Sequence, residues 1–145
     1  MTNEELILKD LTARLPYNVK IPIIDWDEDI QEEVQVDATL YSINTDGYVR
    51  TLESDYEFDI TSIKPYLFPL SSMTEEQQEE FDRIYADDMQ VVANNLKNRL
   101  NGQPYKMNYG HYRHIDWLNA HHFDYRGLIE KGLAIEVTPE NNPYV

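Results

Sequence analysis

The chain has no cysteine, which excludes disulfide frameworks, thiolate zinc sites and cysteine nucleophiles. It also lacks any apolar run approaching the roughly 20 residues of a membrane-spanning helix, and its mean hydropathy is -0.62. Its five glycines are scattered, so no GxGxxG, GxxxxGK[ST] or GxSxG element is present to cradle a phosphate or expose a serine nucleophile. Bases are scarce too: 12 Lys and Arg stand against 27 Asp and Glu, a formal net charge of -15. Such a surface repels phosphate backbones and anionic lipid. Direct nucleic-acid binding and membrane association are therefore the disfavoured classes, no cofactor is implied, and without a signal-peptide pattern the expected location is cytoplasmic.

The charge that is present is unevenly placed. Twelve acids fall between residues 25 and 60, where Arg50 is the sole base. Between Lys97 and Lys131 the balance reverses, and all four histidines lie in that stretch. With 145 residues, 41% of them hydrophobic, the chain is expected to form a single α+β domain over 1–137, with a flexible tail over 138–145.

Periodicity supplies the elements. Thr2 and Glu5 have capping-box spacing ahead of Ile7, Leu8, Leu11 and Leu15, which predicts a helix over 3–15. Val19, Ile21 and Ile23 alternate, and Pro22 confines that stretch to an edge strand. Val34, Val36, Ala38 and Leu40 share one face of a half-buried strand, Asn44 to Gly47 turn the chain, and 48–52 returns as a hairpin. Tyr56, Phe58 and Ile60 against Asp55, Glu57 and Asp59 extend the meander to an antiparallel sheet of four or five strands. The prolines of Lys64 to Leu70 read as an unpaired crossover. A long helix over 74–100 follows, capped by Thr74 with Gln77 or Ser72 with Glu75. It carries a stripe of Phe81, Tyr85, Met89, Val92, Leu96 and Leu100 that fits a core face or a homodimer seam. A C-terminal helical pair is expected around Ile115 to Ala120 and from Asp124 to Gly132, then a last strand over Leu133, Ile135 and Val137.

Three segments carry a resemblance: Leu11 to Lys20, KPYLFPLSSMTEE (64–76), and Ile115 to Glu136 with its core DWLNAHHFDYRGLIEKGLAI (116–135). In these the chain resembles a family of small uncharacterised proteins from phage and mobile-element regions of gut bacteria. The resemblance covers about a third of the chain and implies a genomic setting, with no chemistry carried over.

Four groups of residues are candidates for function. Asp25, Asp27 and Asp29 begin like a calcium loop, but Ile30 stands where the sharp turn needs glycine and Val36 where a bidentate glutamate belongs, so the expectation is a solvated acidic loop. His111, His114, His121 and His122 are the weak candidates for a transition-metal set, with Asp116 or Asp124 as oxygen ligands. No HExxH accompanies them, and capped, packed or surface histidines are expected instead. Tyr105, Tyr109, Tyr112 and Tyr125, with Lys106, Arg113 and Arg126, have the composition of a binding surface, of which Tyr109, Arg113 and Arg126 are the candidate contacts. Trp26 and Trp117 read as core anchors.

The acidic strands give the sharpest expectation. Alternate residues on one face of a strand are about 6.6 Å apart, so Asp55, Glu57 and Asp59 would form a row of charge comparable to the phosphates of a nucleic-acid strand, and Asp37, on the polar face of the 34–40 strand, is a further candidate contact. The plain alternative is the ordinary solvent face of a sheet. The resulting expectation is an acidic interaction protein that meets a host or self protein through this face. The alternative from another class is a small metal-dependent hydrolase using the His-rich segment. A winged DNA reader over 115–137 is opposed by the net charge.

Overall fold

The computed structural model describes residues 1–100 and 113–145, leaving aside the side chains of 88, 91–93 and 95–100. The chain divides into two compact units, Met1–Leu70 with His122–Val145, and Ser71–His121. The architecture is α+β, an antiparallel four-stranded sheet together with three α-helices, as the periodicities predict. Among the described residues no helix is long and apolar enough to cross a membrane.

The first unit begins with α1 (Asn3–Arg14), whose capping box is complete: Glu5 N donates to Thr2 Oγ1 at 3.1 Å and Thr2 N to Glu5 Oε2 at 2.7 Å. Pro16 ends the helix in a short 3-10 turn, and Asn18 takes the left-handed φ of 57° that redirects the chain, a conformation its short polar side chain tolerates. Strands β1 (Lys20–Asp27), β2 (Glu32–Ile43), β3 (Tyr48–Thr51) and β4 (Glu57–Asp59) then form an antiparallel sheet in sequence order. The 12-residue β2 serves two neighbours. Its first part pairs with β1, Ile21 opposite Ala38 and Ile23 opposite Val36, and its last part pairs with β3, with a bulge between Leu40 and Ser42. A bulge bends the strand that carries it, and the sheet is curled. Ile7 and Leu11 of α1 pack with Val19, Ile21, Ile23, Ala38, Leu40, Val49 and Ile60 to form the core.

Lys64 to Leu70 departs from expectation. Tyr66–Pro69 is a strand, β5, flanked in parallel by β6 (Phe123–Asp124) and β7 (Ile135–Glu136). A proline lacks the amide hydrogen but keeps its carbonyl, and Pro65 O accepts from Ile135 N at 2.8 Å while Phe68 N donates to His122 O at 2.8 Å. The last strand accordingly joins this small parallel group and does not extend the meander. The second helix of the expected C-terminal pair is also absent: Asp124 accepts from Leu128 N and Ile129 N, but what it organises is a run of turns, closed by Gly132 at φ 71°.

The tail read as frayed is tied to the sheet at Tyr144. The Tyr144 hydroxyl donates to Tyr66 O at 2.7 Å and accepts from Lys20 N at 3.0 Å, and its ring stacks on His122 with centroids 3.9 Å apart. Burial raises the Tyr144 phenol above its ordinary value. Burial, and then the neighbouring Asp37 carboxylate, push Tyr66 up to about 12. Both phenols thus titrate higher folded than unfolded, where a tyrosine has a pKa of about 10. The stability they contribute is complete below that pH and is lost as pH rises above it, for Tyr66 through about 12. Urea midpoints measured from pH 9 upward should fall, and Tyr66→Phe and Tyr144→Phe should each flatten the fall.

In the second unit, α2 (Glu75–Leu100) opens with the expected capping box, Gln77 N donating to Thr74 Oγ1 and Thr74 N to Gln77 Oε1. Phe81 packs on Trp117 of α3 (Arg113–Ala120), with ring centroids 5.7 Å apart. Trp117 and Leu118 are buried, so the expectation of a core anchor holds for Trp117. Of the predicted stripe, Tyr85 and Met89 are exposed, and the side chains of Val92, Leu96 and Leu100 lie outside the described residues.

Candidate functional site

The acidic strands form the candidate site. Glu57 and Asp59 both project from the outer face of β4, opposite Arg50 and Tyr48 of β3, while Phe58 between them packs inward opposite Val49. Asp55 precedes the strand and is exposed, so the row has two members on the ribbon and a third on the loop leading into it. No described lysine or arginine lies within ion-pair distance of any of the three among the described residues. Asp59 also accepts from Thr61 N at 2.9 Å and Thr61 Oγ1 at 2.7 Å. Those bonds, the backbone one first, hold its carboxyl below the ordinary value, so the group stays ionised.

Asp37 is placed differently. It sits opposite Pro22 on the β1–β2 part of the sheet and accepts from the Tyr66 hydroxyl at 2.8 Å, so it anchors β5 and does not continue the row. Where β1 ends and the β3–β4 loop passes, the curled sheet encloses an open cleft of about 420 Å³. Asp25, Glu28, Glu53 and Asp55 supply its carboxylates. Glu53 is fixed there by Thr39, accepting from its N at 2.7 Å and its Oγ1 at 2.9 Å, with Lys20 Nζ 4.0 Å away. Asp27 serves the turn itself, since its Oδ1 accepts from Asp29 N at 2.9 Å.

Trp26 overturns its expected role as a core anchor: it is 51% exposed on the cleft wall, where Leu52 and Tyr56 are 63% and 60% exposed. The sequence held the signal. Val19, Ile21 and Ile23 face inward, so residues 22, 24 and 26 must face the other way, and Ile24 is exposed beside Trp26.

The tyrosine and arginine group is described only in part. Tyr105, Tyr109, Tyr112 and Lys106 lie outside the described residues. Arg113, in the second unit, is paired with Asp87 at 3.4 Å. Arg126, in the first, has an internal task, donating to Asp10 Oδ1 at 3.0 Å and to the Tyr125 hydroxyl at 2.7 Å. Asp10 and Arg14 are wholly buried, with Arg14 Nε donating to Asp10 Oδ2 at 2.8 Å and Arg14 Nη2 to Phe123 O at 2.6 Å. This cluster was missed, although 7, 10, 11 and 14 share one helical stripe.

The histidines are packing residues as far as they are described. His114 meets the Tyr85 ring edge-on at 5.5 Å, His121 stacks on Trp117 at 4.1 Å with Nδ1 2.9 Å from Trp117 O, and His122 stacks on Tyr144. His111 lies outside the described residues, and among those described no three His, Asp or Glu side chains converge as a ligand set.

Comparison of the chain with family models, curated proteins and solved structures finds no match.

Proposed function

We propose that this protein is a binding protein that offers the acid-rich end of its sheet to the basic surface of a partner protein. The observation that carries the reading is the outward pair Glu57 and Asp59 on β4, continued by Asp55 into the carboxylates of the cleft: no described lysine or arginine lies within ion-pair distance of these three, although Arg50 stands opposite Glu57 and Lys20 approaches Glu53. A groove built to hold nucleic acid presents cations at short intervals, and a rigid anionic ribbon complements it without needing bases or sugars. On this reading the partner is a DNA-binding protein such as a nuclease, restriction enzyme or repressor. The resemblance noted above adds a setting, a host protein met by a phage or mobile element.

Electrostatic complementarity governs association rate and salt dependence. The immobilised protein should retain basic DNA-binding proteins at low salt and release them to about 200 mM salt or to competing duplex DNA. The triple variant Asp55→Asn, Glu57→Gln, Asp59→Asn should weaken retention about tenfold, since these side chains are exposed and their loss leaves the core intact. Absent retention at low salt, or retention indifferent to the three substitutions, would remove the proposal.

A further inference from the structure

We infer that the cleft between the end of β1 and the β3–β4 loop receives an arginine side chain from a basic polypeptide segment. The inference deepens the preceding proposal, on which it rests for the basic character of the partner. It adds a defined anchor point where that proposal needs only a charged face.

The carboxylates alone would not single out a ligand, because a solvated acidic turn looks the same. What distinguishes this place is apolar. Trp26, Leu52 and Tyr56, three of the large side chains that a fold ordinarily hides, are each more than half exposed around one cleft. Their exposure has a cost in water that a covering partner would recover. An indole and a phenol beside Asp25, Glu28 and Asp55 combine stacking faces with anionic acceptors. A guanidinium is the group suited to both at once: it is planar, weakly hydrated, stacks on aromatic rings and forks to carboxylates, whereas an ammonium is a strongly hydrated point charge.

The geometry also suits a site formed before binding. The cleft's about 420 Å³ lies within the usual range of about 300–1,000 Å³ for ligand clefts, leaving room for the arginine stem and a neighbouring residue against Leu52. Glu53 is already locked to Thr39 by two hydrogen bonds, and Ser54 Oγ accepts from Tyr56 N at 3.2 Å. The wall that would meet the guanidinium is thus held by the backbone of β2 and by its own loop, and little ordering entropy is lost on binding.

The test uses the full chain and fluorescein-labelled hexa-arginine, with labelled hexalysine as the charge-matched control. Hexa-arginine should bind saturably at low salt and about tenfold more tightly than hexalysine. Trp26→Ala and Tyr56→Ala should each weaken it about tenfold, an effect of the size expected for a lost stacking face, with circular dichroism unchanged. Equal affinity for hexa-arginine and hexalysine, or binding that survives both aromatic substitutions, would show attraction to net charge only and overturn the inference. Glu57→Gln with Asp59→Asn should leave hexa-arginine binding within about twofold, because those residues lie outside the cleft. If that double variant loses DNA-binding proteins while Trp26→Ala loses nothing, the charged face stands and the anchor fails. If the aromatic variants lose hexa-arginine while the triple charge variant keeps its DNA-binding proteins, the anchor stands and the mimicry fails.

Discussion

Asp10→Ala should destabilise the first unit by about 3–5 kcal/mol, the loss expected when one member of a buried ion pair is removed. Asp10 is wholly buried, with one carboxylate oxygen taken by Arg14 and the other by Arg126. Its removal strands the wholly buried Arg14 guanidinium, one of whose Nη atoms already has no hydrogen-bond partner among the described residues. Among the described residues, the bond to Phe123 O and the Tyr125 ring 5.3 Å away would remain. Urea unfolding followed by circular dichroism reads the effect. The double variant Asp10→Leu, Arg14→Met should lose clearly less than Asp10→Ala alone, because apolar side chains of similar volume carry no uncompensated charge. A double variant as unstable as the single one would show that the cluster acts through geometry and not through charge balance.

Phe123→Ala should cost about 3–5 kcal/mol as well, the range for emptying a buried phenylalanine site. Its side chain is 2% exposed, its ring lies 5.9 Å from that of Phe68, and the two residues are register partners between β6 and β5. Because Phe123 O accepts from Arg14 Nη2, the loss should not be independent of the first. Combined with Asp10→Ala, it should destabilise by less than the sum, since both perturb the seat of one guanidinium. Strict additivity in a double-mutant cycle would mean that the Phe123 backbone keeps its place when its ring is gone.

The parts of the fold legible in the sequence are those fixed by local chemistry. Thr2 with Glu5 and Thr74 with Gln77 mark helix starts because a hydroxyl and a carboxylate or carboxamide three residues on can satisfy each other's amides. The alternation through Val36, Ala38 and Leu40 marks a half-buried strand because successive side chains leave opposite faces. What escaped was decided by partners distant in the chain. Pro65 and Pro69 argue against pairing only until Ile135, 70 residues later, supplies a donor to Pro65 O. Asp124 looks like a helix cap, and its two amide bonds are equally well used by a turn.

The candidate site divides in the same way. Glu57 and Asp59 follow from period two, whereas the cleft depends on the curl that brings the β3–β4 loop to the end of β1, and no alternation encodes curl. Trp26 was misread because its size suggested burial, although its parity with Pro22 and Ile24 already placed it outside.

Because Phe68 and Phe123 are neighbours in β5 and β6, the chain leaves the first unit and re-enters it at almost the same point. During synthesis residues 1–70 therefore emerge well before the segments that complete their core, Leu128 and Ala134 among them. Asp10 and Arg14 can meet Arg126 only after residue 126 has been made, more than a hundred residues behind α1, so their buried charges are paired late relative to the sheet they pack beneath.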